Sequence, residues 1–414
     1  MKVRFSAVSA IAALIVVVAL AAPLHAQTLP SGPIVIADGH LTLGGDVAIS
    51  FAPNDPGFFN YTDYEESALR LLRLDLTAAF KAGDHLAILG DIRSENAFEH
   101  GFRMERPRPY ALYVRIRPWA NRAFDIQAGR VPPTFGAFAR RTYAADNFLI
   151  GYPLAYQYLT SLRADSVPAT ADELLRMRGR GWLSNFSIGD LSPDRGVPLV
   201  SAFSWDTGVQ VHLGTELLDA TGAVTTGTLA RPLFTDDNNG KQVAGRMAFH
   251  PLPGLIVGTS AARGPFVSRT AARGAVGDAS EDRFTQTAWG ADAEYSRDYY
   301  LVRVEAIVSD WNLPLVHAPM PQMPLRAVST LVEGRYKIRP GLYAAARLDH
   351  LGFSEITGTT RTDTWDAPVT RLEIGGGYSL QRNLVLKLSY QHNSRAGGRV
   401  RTLNLAAAQL LFWF

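Results

Sequence analysis

Cysteine is absent from all 414 residues. That excludes a disulfide framework, and it excludes a lipid anchored on a cysteine behind the amino-terminal segment. An excess of charge of one sign is missing too. With 41 Lys and Arg against 38 Asp and Glu, a polyanion, nucleic acid above all, is not an expected partner. Beyond the amino end no apolar run is long enough to cross a bilayer as a helix, so this chain can enter a membrane only as a closed barrel. The common enzyme signatures do not occur: there is no Gly-x-Ser-x-Gly, no His-Glu-x-x-His and no phosphate-binding glycine loop with lysine. His212, His250, His317, His350 and His392 are dispersed without a metal spacing, and no cofactor or metal is expected. Asp236-Asp237-Asn238-Asn239-Gly240 invites a calcium-loop reading. Thr235, however, stands where the first carboxylate belongs and Arg246 where the closing glutamate belongs, so a hairpin turn is expected there.

What the chain has is alternation. Residues 1–26 carry Lys2 and Arg4, then an apolar run and Leu24-His25-Ala26, the pattern of a cleaved export signal. Residues 27–39 read as a periplasmic lead-in. From His40 onward the theme repeats: Leu72, Leu74, Leu76, Ala78 and Phe80 alternate with Arg73, Asp75 and Thr77, and Tyr300, Val302, Val304 and Ala306 with Arg303 and Glu305. Leu372 and Ile374 oppose Arg371 and Glu373, and Leu384, Leu386 and Leu388 oppose Lys387 and Ser389. Period two means strands with one apolar and one polar face. In a soluble sandwich the charged face would lie outside, but the alternation runs through almost the whole chain and leaves no second apolar face to cover. Turning the apolar face to lipid and the charged face to a lumen removes that difficulty.

Connection lengths agree. Tight turns are expected at 82–84, 118–122, 251–254, 296–298, 339–341 and 381–383, with longer polar loops at 52–67, 94–109, 264–282, 312–325 and 355–367. Short periplasmic turns and long external loops give this sorting. The expectation is an all-β, antiparallel transmembrane barrel over residues 40–414, of about sixteen strands. Its last strand reads LNLAAAQLLFWF, with Phe412, Trp413 and Phe414 at the membrane interface.

The alternation stops between Arg130 and about Val200. Residues 131–199 are too long for an ordinary connection and too aromatic for an exposed one, carrying Phe135, Phe138, Tyr143, Phe148, Tyr152, Tyr156, Tyr158 and Trp182. Packing against the barrel wall accounts for them; an external cap, or a missed strand pair near residues 182–188, stays open. The run Gln127, Gly129, Arg130, Pro132, Pro133, Phe135, Gly136, Arg140 and Arg141 resembles the post-strand segment of the phosphate-selective porin O and P family and related bacterial porins. The resemblance implies a trimer whose third external loop folds inward and narrows the channel. It also implies that Phe412, Trp413 and Phe414 serve the outer-membrane assembly machinery. The arginine ladder and lysine-rich sites that phosphate selectivity needs are not found, so the solute stays open.

The expected function is an outer-membrane porin passing small polar or anionic solutes by diffusion, mildly anion-preferring and not an enzyme. A barrel hydrolase or protease and a structural or adhesin-like barrel are the alternatives. Basic and acidic residues nearly balance on the predicted lumen faces, so selectivity is expected from a constriction, where field lines focus. Arg130, Arg140 and Arg141, near the rigid Pro132-Pro133 root, are the first candidates, with Arg115, Arg117 and Asp125 on the adjoining wall. Contact of these arginines with lipopolysaccharide phosphates remains the alternative.

Overall fold

The computed structural model describes residues 32–52, 72–95, 106–398 and 400–414, apart from 120, 140, 142, 203, 204, 239, 278–282, 315 and 320–322. The expected export signal, most of the loops expected at 52–67 and 94–109, and Arg140 therefore lie outside the described residues.

Sixteen antiparallel strands close into a barrel. The first five are β1 (Leu41–Phe51), β2 (Leu72–Lys81), β3 (Leu86–Glu95), β4 (Arg108–Ile116) and β5 (Ala123–Val131). After the long connection come β6 (Asp206–Gly214), β7 (Leu218–Thr225), β8 (Gln242–Leu252), β9 (Leu255–Pro265), β10 (Thr285–Arg297) and β11 (Tyr300–Trp311). The last five are β12 (Leu325–Arg339), β13 (Leu342–Phe353), β14 (Val369–Gln381), β15 (Leu384–Arg395) and β16 (Thr402–Trp413). Closure runs through β1 and β16, from Asp46 opposite Trp413 to Phe51 opposite Ala408. A closed sheet leaves no edge to satisfy in lipid. The lead-in contributes a short strand of its own, Ile34–Ile36, paired with the start of β1.

The two faces follow the sequence. Leu74, Leu76, Val302, Val304, Leu348, Leu372, Ile374 and Leu388 are exposed on the outside, while Arg73, Asp75, Glu333, Arg347, Glu373 and Lys387 are buried on the inside. On β16, Ala406, Ala408, Leu410 and Phe412 fall on the outer alternate, and the Phe414 ring lies over Gly45, 6.0 Å from the Phe412 ring. The connections alternate as expected, with tight turns after β2, β4, β6, β8, β10, β12 and β14. The Asp236–Gly240 run is not a tight hairpin turn. It sits in the longer connection from β7 to β8, where Asp236 and Asp237 pair with Lys241 and Arg231.

Residues 132–205 join β5 to β6 and carry a 3₁₀ turn (Ala144–Asp146) and two short α-helices, α1 (Leu154–Gln157) and α2 (Ala171–Met177), among the described residues; α3 (Arg269–Val276) lies between β9 and β10. None of these helices is long and apolar enough to cross a membrane. The aromatics of the long connection pack as their number demanded: Phe135, Phe138, Tyr156, Tyr158 and Phe186 are almost fully buried. Phe135 rests on Gly290 of β10, where even a methyl group would meet its ring at 3.0 Å. Of the alternative readings, a strand pair near residues 182–188 is met in part: Ser166–Val167 pairs with Ile188–Gly189, and Ser184 bridges Asp194.

Candidate functional site

The candidate site is the surface where the β5–β6 connection meets the charged inner wall. Its first part descends along that wall by giving it backbone groups. The Gly136 N–H donates to Ser260 Oγ at 3.0 Å and the Ala137 N–H to Glu305 at 2.7 Å; the Tyr156 hydroxyl lies 2.9 Å from both Glu305 oxygens. Lys387 donates to the carbonyls of Ala144 and Asn147 at 2.6 and 2.7 Å. The Gly151 N–H donates to Glu373 at 3.0 Å, while its carbonyl accepts from Arg347 at 2.7 Å. Arg371 donates to the Tyr152 carbonyl and Arg73 to its hydroxyl. A buried backbone needs such partners, and here charged side chains supply them.

The charges also hold one another. Fully buried Arg347 reaches Glu333, Asp349 and Glu373 at 3.3, 3.1 and 2.5 Å. Arg303 bridges Glu294 at 2.7 Å and Glu333 at 3.2 Å, and the Phe148 ring lies 4.3 Å from both Arg303 and Arg335. Across the lumen, Asp75 accepts from Arg73 and Arg93, and Arg93 stacks 3.3 Å from the Tyr110 ring. Tyr143 donates to Asp91 at 2.5 Å. Burial, then the Asp91 carboxylate, raise the Tyr143 phenol above its ordinary pKa; burial and Glu305 do the same to Tyr156, so both stay neutral donors.

The second part turns from the wall to build an apolar core with the external loops. Leu154, Leu162, Leu174, Leu175 and Phe186 pack with Phe266, Trp311, Phe353 and Trp365. Buried Asp366 ties this part to the β13–β14 loop by accepting from the N–H groups of Ser161, Gly179 and Ala367, each at 2.7 Å. Burial raises the Asp366 pKa and those three bonds pull it back.

The sequence candidates fall in different places. Arg141 donates to Glu294 at 2.6 Å on the inner wall. Arg115 lies on the inner alternate opposite Gln127, whose amide donates to Asp125 at 2.6 Å. Arg117 is exposed past the end of β4. Arg130 is paired in register with Leu112 and Thr207; its Nε donates to the Tyr110 carbonyl, and its guanidinium lies 5.3 Å from the Phe234 ring. Gly129, at φ +126°, stands just before it, where the strand alternation is disturbed. Asp46 and Gly151 carry no signal in the sequence, and Tyr143 and Tyr152 read there only as packing aromatics. Asp46 follows Gly44-Gly45, which blurs the period of β1, and the others act through a connection with no period to read.

No family model and no curated protein matches the sequence. Solved structures match in fold. Salmonella typhi OmpF in complex with daunomycin aligns at 13% identity over 92% of this chain and 100% of its own, with a TM-score of 0.52. The anion-selective porin from Comamonas acidovorans aligns at 10% identity over 90% and 99%, with a TM-score of 0.51. In-vitro folded OmpT of Vibrio cholerae, an outer-membrane protein in trimer form, aligns at 10% identity over 90% and 99%, with a TM-score of 0.52. At these identities the likeness is one of fold alone: a closed, sixteen-stranded antiparallel barrel like those of the matched outer-membrane proteins.

Proposed function

We propose that the chain is a diffusion channel for small hydrophilic solutes, in which the β5–β6 connection narrows the lumen. The observation that carries this reading is the set of bonds from residues 136–152 to charged side chains of the inner wall. A closed barrel with a polar interior is built to pass solutes, and a connection spanning that interior sets the width of the path. Mild anion preference comes from Arg115 and Arg335, neither of which has an ion-pair partner among the described residues, with Arg141 contributing through its exposed side. The phosphate-selective family is one source of such a channel, and the solute need not be phosphate. Phe412, Trp413 and Phe414 serve recognition by the assembly machinery, the outer belt meets lipid and lipopolysaccharide, and the working unit is a homotrimer, as in the OmpT trimer form.

Reconstitution in a planar bilayer tests the reading. Stepwise conductance with a measured anion-to-cation permeability ratio above one is expected. A folded, inserted barrel that carries no current would overturn it.

A further inference from the structure

His212 and His250, far apart in the sequence, come together on the inner wall at the end of the barrel that carries the tight turns. They belong to one line of side chains crossing four adjacent strands: Asp125 on β5, His212 on β6, Asp219 on β7 and His250 on β8. His212 Nδ1 lies 3.6 Å from Asp125 Oδ2, and its Nε2 lies 3.8 Å from Asp219 Oδ1. The other Asp219 oxygen is 2.9 Å from His250 Nε2. Carboxylate and imidazole therefore alternate along the line. Gly214, paired with Asp219, leaves the room this takes, since a methyl group there would meet Asp219 Oδ1 at 3.0 Å and the His212 ring at 3.5 Å. Gln127 donates to Asp125 Oδ1 at 2.6 Å and leaves Oδ2 to His212.

The line is open to water, unlike the buried Arg347 group. Side-chain exposure is 25% at His212, 29% at His250 and 44% at Asp219. Its members are strung out rather than convergent, and among the described residues no three such side chains surround a metal position. What the line can exchange with the lumen is protons, because imidazole is the side chain that changes charge between pH 5 and 8. With both rings neutral, the two carboxylates give it a charge of about −2; with both rings protonated the sum is about 0. The other charged groups beside it are Arg115 on β4, Arg117 past the end of β4, Arg122 in the turn before β5, Glu216 in the turn between β6 and β7, and Arg246 on β8. Arg246 is spent on Asp292 of β10, and Glu294 of the same strand is held by Arg141 and Arg303. β9, between them, brings no charged side chain to the inner face. Arginine keeps its charge throughout this range, so falling pH makes this mouth more positive.

We propose that the Asp125–His212–Asp219–His250 line is a proton-responsive selectivity element at the periplasmic mouth. At high pH its carboxylates oppose the anion preference set by Arg115, and at low pH its imidazolium groups release that preference. The inference rests on the channel reading. Its test is the reversal potential across a planar bilayer holding the folded barrel, under a dilute KCl gradient, at pH 8 and at pH 5.5. The anion-to-cation permeability ratio should rise roughly 2- to 5-fold on acidification, the effect of about two unit charges about 10 Å from the path in water. In the double variant His212→Gln/His250→Gln less than half of that rise should remain. Any other lumen group that takes up protons still does so in the variant, so the difference between the two proteins is the readout. Should the double variant not migrate as a folded barrel, Asp219→Asn at pH 8 should raise the ratio about as far as protonating one ring. A full-sized rise in the double variant, or an unmoved ratio in Asp219→Asn, would overturn the proposal. Current with a ratio that ignores pH overturns the element alone, whereas a barrel that carries no current at either pH overturns the channel reading and the element with it.

Discussion

Residues 132–153 and residues 154–202 belong to one connection, yet they are held in different ways. The first stretch gives its carbonyl and N–H groups to Lys387, Arg347, Glu373 and Glu305, and its position is set by charges on the barrel wall. The second buries Leu154, Leu162, Leu174 and Phe186 with Trp311 and Trp365, and beyond Tyr156, which still donates to Glu305, its position is set by apolar area and by Asp366. Charged, directional bonds fix a backbone to a precise place but leave polar groups beside the lumen. Apolar packing is less directional and excludes water. The descending stretch is therefore suited to present polar groups to a solute, and the returning stretch to support it from the external side.

The sharpest way to break this comparison is Arg347→Ala. The change leaves Glu333, Asp349 and Glu373 buried around an absent partner and frees the Gly151 carbonyl. Removing one member of a buried ion pair costs about 3–5 kcal/mol. Urea unfolding of the refolded barrel, followed by heat-modifiable migration, should show a large fall in midpoint, and single-channel records should become noisy. An unchanged midpoint would mean that the descending stretch is held by its aromatic contacts rather than by the wall charges.

Next comes Leu174→Ala in the apolar core of α2, where the side chain is fully buried. A Leu→Ala cavity costs about 2–5 kcal/mol, depending on how far the site can collapse. Stability should fall while open-state conductance changes less than with Arg347→Ala. Equal effects of the two variants on conductance would erase the division between the stretches.

That division also marks how far the sequence could be read. Wall strands announce themselves because lipid and lumen impose a strict period of two, and Val302, Val304, Arg303 and Glu305 fall where that period puts them. The long connection has no such period. Its aromatic content predicted burial, but which carboxylate or lysine each backbone group meets depends on strands hundreds of residues away. Arg163 illustrates the gap. Its guanidinium is 1% exposed and is spent on Asp165 and the carbonyls of Ser184 and Ser192 inside the connection. Arg178 likewise serves Thr364 and the Ala396 carbonyl. Local disturbances hide the rest: Tyr110 reads as outward by alternation, but the register shift between β3 and β4 beside it leaves the ring buried under Arg93.

The smallest expected effect belongs to Arg141→Gln. Arg141 shares Glu294 with Arg303, which donates to the same oxygen at 2.7 Å, so the carboxylate keeps a partner when Arg141 is neutralised. The Arg141 side chain is 24% exposed, and a pair of that kind contributes only about 0.2–1 kcal/mol. Stability should barely move. The permeability ratio should, because one positive charge is removed where the descending stretch meets the wall. The shift is toward cations. It should be visible in reversal potentials at low salt and fade as ionic strength rises, since charges are screened over about 10 Å at 0.1 M. If the ratio at low salt matches that of the unmodified channel, Arg141 does not face the solute path, and the polar groups that do must be sought on the wall strands themselves.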